Sequence, residues 1–200
     1  MAAKIHQWRF WAAIALQAVL IASIPAQAVY IHITGKTVIL KTAPIDPYDL
    51  MRGYSIALNS DISTVDALRS LPGWKTLQTE PSETSSLRDR LIQNSTLFVI
   101  LQAPPDTSKP SQPWKLVDVS RDQPNHLPTS QIILKGRVGQ NDRIQYGLET
   151  YYLPENQRSE INQAFEQAQR PLESVIEIKV DAHGNAIPIQ LWVGDQPYRF

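Results

Sequence analysis

The longest apolar run in the chain comes first. From Phe10 to Ile33 it is broken only by Gln17, Ser23, Pro25, Gln27 and His32, and its length matches the roughly 20 residues a helix needs to cross a bilayer core. From Lys36 onward the period shortens to the two-residue alternation of strands. Thr37 to Lys41 is β-branched, and Tyr54 to Ile62 alternates with Tyr54, Ile56, Leu58, Ser60 and Ile62 on one face. Leu97 to Gln102 is continuous and apolar, as a buried strand would be. Trp114 to Ser120 sets Lys115, Val117 and Val119 against Trp114, Leu116 and Asp118. Ile132 to Val138 and Ile144 to Leu153 flank the turn-forming sequence GQND, and Val175 to Val180 and Ala186 to Val193 flank DAHGN, a hairpin composition.

These segments predict about eight strands, at the spacing of a small sandwich or barrel. Helical signals are fewer. Ser63 with Asp66 reads as a capping box for a short helix to about Ser70, and Ser86 with Asp89 as another reaching Asn94. Glu155 to Arg170 carries Ile161, Ala164, Phe165 and Ala168 on one stripe before Pro171, which predicts a longer helix lying on the sheet surface. Ala103 to Pro113 reads as an exposed loop between strands. The expected fold is mainly β with short helices (β+α). One N-terminal transmembrane helix precedes a β-sandwich or barrel-like domain of about eight strands and one longer surface helix.

Charge orients that first helix. Lys4 and Arg9 precede the apolar run and no acid does, so residues 1–9 should stay cytoplasmic, residues 10–33 should span, and residues 36–200 should form an exported β-rich domain. Trp8, Trp11 and Tyr30 bracket the span as interfacial aromatics do. The competing reading is a signal sequence cleaved after Ala28, because Ala26-Gln27-Ala28 has the small-x-small form and Pro25 would end the helix before it. Either reading places the domain on the periplasmic or lumenal side, anchored in the inner membrane or released from it.

Composition narrows the classes further. Lys plus Arg equals Asp plus Glu at 19 each, with no basic cluster, which argues against a nucleic-acid surface. The absence of cysteine excludes disulfides, thiolate metal sites and cysteine nucleophiles. His6, His32, His126 and His183 are scattered, without HExxH-like spacing, so neither a metal nor another cofactor is expected. Fifteen prolines against eight glycines suit short strands and stiff turns.

Two segments resemble the GDYXXLXY family. Thr42, Pro44, Asp46, Pro47, Asp49, Leu50, Arg52, Gly53 and Leu58 are similar to its opening signature. Tyr146, Gly147, Glu149, Tyr151, Tyr152, Pro154 and Glu155 are similar to its second, and the hairpin with Asp181 and Gly184 follows in the family's order. The resemblance implies one N-terminal span, an exported β-rich domain, and an integral-membrane protein as partner; it brings no established activity. Aligned on Gly53 and Leu58, the family's Asp, Tyr and final Tyr are Tyr54, Ser55 and Ser60 here. Neither Tyr nor Ser supplies a carboxylate at neutral pH, so a role of that Asp as acid, base or ligand is not carried over.

The candidate binding residues are Asp46, Asp49, Arg52 and Tyr54 in the first segment and Tyr146, Glu149, Tyr152 and Glu155 in the second. No catalytic residue is assigned. Asp46 and Asp49 around Pro47 suit turn capping, Arg52 suits a forked pair with a carboxylate, and the tyrosines suit packing with their hydroxyls bonded. A glycosidase reading of Glu149 and Glu155 meets a separation of about 20 Å along one strand, too far for paired carboxylates. No serine lies between Val29 and Arg52 and no GxSxG motif occurs, so a serine hydrolase lacks its motif. The leading expectation is a membrane-anchored envelope protein whose exported domain binds or assembles with a membrane-protein partner, without catalysis. The alternatives are a hydrolase-type enzyme using Asp, Glu and Arg of the two segments, and a soluble exported ligand binder released at Ala28.

Overall fold

The computed structural model describes residues 2–42, 55–57, 62–77, 91–105, 112–140, 143–152, 174–193 and 196–199. The first helix, α1 (Ala2–Thr34), is apolar on every side, without an amphipathic face. Pro25 lies inside it. Lacking an N–H and crowding the preceding turn, proline kinks a helix, and the arms Trp8–Ser23 and Pro25–Thr34 meet at a 46° bend. Pro25 therefore bends the helix where the sequence suggested that it would end. No single helix among the described residues is long and apolar enough to cross a membrane, but the two arms together pass by length and composition. The hydroxyls of Ser23 and Thr34 donate back to the Leu20 and Tyr30 carbonyls, so both polar side chains are satisfied within the helix.

Two four-stranded antiparallel sheets follow. One has the order β1-β8-β9-β10, from β1 (Lys36–Thr42), β8 (Ser174–Val180), β9 (Ala186–Val193) and β10 (Gln196–Arg199). The other has the order β4-β3-β5-β6, from β3 (Thr96–Gln102), β4 (Lys115–Ser120), β5 (Gln131–Val138) and β6 (Ile144–Gln145). A separate two-stranded ribbon pairs β2 (Ser55–Ala57) with β7 (Thr150–Tyr152). With α2 (Val65–Arg69) and α3 (Trp74–Leu77), the described fold is mixed, with eight strands in two sheets. The expected helices at 86–94 and 155–170 lie outside the described residues.

Both sheets feed one core. Val38, Leu40, Ile176, Ile178 and Leu191 from the first meet Leu97, Val99, Leu101, Leu134 and Val138 from the second. Alternation decides which side each strand buries: on β8, Ser174, Ile176, Ile178 and Val180 are buried and their neighbours half-exposed. On β4 the simple alternation fails. The β3–β4 register shifts after Ile100, so Val99 faces Val119 while Leu101 faces Leu116. That bulge at Val117 brings Val119 and Leu116 to the same core side, although they are three apart.

Three further expectations are corrected. The Ser63–Asp66 capping box does not form: Thr64 is the N-cap, extended and without a side-chain cap bond, because it bridges Arg143 while the Ser63 carbonyl accepts from the Ile144 N–H at 2.8 Å. Asp66 pairs instead with Arg69 at 2.9 Å on the exposed face. The predicted strand from Tyr54 to Ile62 is described at Ser55–Ala57, residues 54 and 58–61 lie outside the described residues, and Ile62 is a buried turn residue and not a strand end. The predicted strand from Ile144 to Leu153 is two, β6 and β7, which belong to different sheets. Gly147, with φ +76°, turns the chain between them.

The joint between α1 and the sheets is tight. A Cβ on Gly35 would lie 2.4 Å from the Ile31 carbonyl oxygen and 3.1 Å from Lys179 Cβ. Lys179 Nζ donates to the His32 carbonyl at 2.5 Å, capping one of the last helical carbonyls with a cation. Ile31, only 2 % exposed, is the buried anchor of the last turn.

Candidate functional site

A cleft of about 520 Å³ opens where α1 meets the sheets. Gln27, Ala28 and Ile31 form the helical wall; Lys135 and Arg137 on β5 form the floor. Gln145, Tyr146, Gly147 and Glu149 close one side, and Asn185 to Ile187 of the β8–β9 hairpin close the other. The period of β5 explains the floor: Leu134, Gly136 and Val138 turn to the core, which leaves Lys135 and Arg137 on the outer face.

Tyr146 is buried, 7 % exposed, and its hydroxyl donates to the Ile62 carbonyl at 2.9 Å. Burial first, and the neighbouring Glu149 carboxylate second, push its hydroxyl well above the ordinary phenol range, so it stays neutral. It packs over Gly136, where an added Cβ would lie 2.9 Å from Tyr146 Cε1 and 2.6 Å from Ile144 Cγ2. Glu149 is half-buried and accepts from the Tyr146 backbone N–H across the Gly147 turn. That bond makes Glu149 the residue that closes the turn and directs β7 away from β6.

Tyr152 ends β7 opposite Ser55, with Tyr151 opposite Ile56 and Thr150 opposite Ala57. The β2–β7 ladder therefore joins the strand that follows the first signature segment to the strand inside the second. Asp46, Asp49, Arg52, Tyr54 and Glu155 lie outside the described residues. Among the described residues no group of three or more His, Asp or Glu is gathered as a metal site would require. Asp181 and its neighbours form a turn: the Asp181 carboxylate accepts from the backbone N–H groups of His183 and Asn185 and from Asn185 Nδ2, at 2.8–2.9 Å.

Sequence reasoning did not single out Lys135, Arg137, Gln145 or Gln27. Alternation along β5 was legible and puts the two cations outside. What faces them depends on the packing of α1, separated from β5 by about half the chain.

The arrangement defines a β-rich domain carried on an apolar helix, with a polar cleft at their junction. The chain belongs to the GDYXXLXY family, whose model, described as GDYXXLXY protein, matches residues 17–191. That match begins inside α1 and ends in β9, so it takes in the helical wall of the cleft and the strands before β10. No curated protein and no solved structure matches the chain.

Proposed function

We propose that the protein is a single-pass, membrane-anchored envelope protein whose β-rich domain lies on the exported side and assembles with an integral-membrane partner, without catalysing a reaction itself. One observation carries this reading. Of the twelve large hydrophobic side chains that stand exposed among the described residues, eleven lie on α1, from Trp8 to Ile33, and the other is Ile92. Exposed apolar surface on that scale marks contact with a membrane or a partner, and a helix apolar on all sides suits lipid better than water. Lys4 and Arg9, near its N-terminal end, support an inward N-terminus.

Retention of the helix is favoured over release at Ala28. The helix continues through Ala28 to Thr34, and Gln27 and Ala28 help to wall the cleft. The partner-facing surface is assigned to the two signature segments, Asp46 to Tyr54 and Tyr146 to Glu155; Ser55, the residue after the first, pairs with Tyr152 of the second. Affinity isolation of the full chain from detergent-solubilised membranes tests the reading. A multi-span protein should be recovered with the wild type and lost with Arg52→Ala combined with Glu149→Ala in a variant shown to be folded. Equal recovery with that variant counts against the assigned surface.

A further inference from the structure

The floor of the cleft carries two cations that the assembly reading leaves without a task. Lys135 and Arg137 stand two residues apart on β5, so their side chains leave the same face with roots about 7 Å apart. Both are exposed, and neither has an ion-pair partner among the described residues. Glu149, the carboxylate of the same cleft, is engaged by the Tyr146 N–H. Gln27 and Gln145 add amide donors around them. A guanidinium and an ammonium among amides form a receptor for a phosphate oxyanion.

The depth of the cleft on α1 selects the source of that phosphate. The helix remains exposed and apolar out to Tyr30 and Ile33. Gln27, on the cleft wall, is nineteen residues after Trp8, or about 28 Å along the axis, close to the full thickness of the hydrocarbon core. The headgroup zone of one leaflet is roughly 5–8 Å thick beyond the hydrocarbon. With α1 in the bilayer, the cleft mouth therefore stands at the level of the lipid phosphates. Lys179 on the His32 carbonyl ties the helix end to β8 at this height.

We propose that the cleft binds the phosphate of a net-anionic phospholipid headgroup through Lys135 and Arg137, an inference that rests on the anchoring reading above. Two cations against the one carboxylate of Glu149 leave the cleft net positive, which favours an anionic over a zwitterionic headgroup.

The test uses the full chain. Native mass spectrometry in a neutral detergent, with phosphatidylglycerol, phosphatidylcholine or inorganic phosphate added separately, should show selective retention of phosphatidylglycerol. Lys135→Gln combined with Arg137→Gln should weaken that retention by roughly tenfold or more, as expected from the contribution of each cation near an anionic surface. Lys115→Gln, at an exposed position on β4, should leave it unchanged, and Arg137→Lys in place of Arg137→Gln should recover part of it. Retention unaltered in the double variant overturns the proposal, as does inorganic phosphate binding as tightly as the lipid. Flotation with pure phosphatidylcholine vesicles separates the two claims. A chain that fails to float refutes anchoring, whereas one that floats without selecting phosphatidylglycerol refutes only the headgroup site.

Discussion

The Tyr146 hydroxyl donates to the Ile62 carbonyl at 2.9 Å, joining residues 84 apart in sequence inside the core. This bond ties the segment leading into α2 to the end of β6, directly behind the cleft. Tyr146→Phe should cost about 1 kcal/mol, the usual net worth of a buried hydrogen bond, read as a shift in the urea midpoint. The pH dependence has a defined sign. The phenol is raised in the folded state, so its contribution is complete below the unfolded value near 10 and is lost as pH rises beyond it toward the folded value. Between about pH 8 and about pH 11, the wild type should lose more stability than Tyr146→Phe, a difference set by this one phenol.

Gly73 gives a second test. Its N–H donates to Asp118 Oδ1 at 2.8 Å, and the same oxygen accepts from the Val119 N–H at 2.8 Å. A Cβ at Gly73 would lie 1.7 Å from the Val119 carbonyl oxygen. Backbone cannot yield as a side-chain tip does, so Gly73→Ala should destabilise by about 1–3 kcal/mol or more. Asp118→Ala, which strips two donors of their acceptor, should cost about 1–3 kcal/mol. Asp118→Asn should cost less, since an amide oxygen still accepts. Thermal unfolding of the three variants should rank Asn mildest.

The β8–β9 hairpin depends on Asp181 in the same way. Its carboxylate serves three donors in the turn, and Gly184 supplies φ +82° beside the Lys135 N–H. Asp181→Ala should cost about 1–3 kcal/mol. Hydrogen exchange should accelerate first at the His183 and Asn185 amides, because those lose their acceptor directly.

How much of this was legible follows from where each signal resides. The two-residue period on β5 and β8 is a property of the strand itself, so the core residues Leu134, Ile176 and Ile178 and the outer position of Lys135 follow from sequence. The bulge at Val117 depends on the register against β3, a partner that the strand's own alternation cannot reveal. The break at Gly147 was hidden because YGLETYY keeps a strand-like composition through a turn closed by Glu149. β10 is four residues long and contains Pro197, too short to stand out as a strand. The site was legible in part. Both signature segments were found, but the cleft needs α1 beside β5, a contact between distant parts of the chain.

The fate of α1 can be read directly. Intact mass of the protein recovered from membranes should include residues before Ala28, and the protein should resist alkaline carbonate extraction. A mature chain beginning at Val29 would mean release of the domain and would remove the bilayer from the account.

Photocrosslinking in intact membranes probes the proposed contact between the signature surface of an exported domain and a membrane partner. A photoreactive residue is placed at Thr150 on β7 and, in a second chain, at Lys115 on β4. An adduct with a multi-span protein is expected from position 150 and none from position 115. No adduct from position 150, or equal adducts from both, would contradict that contact.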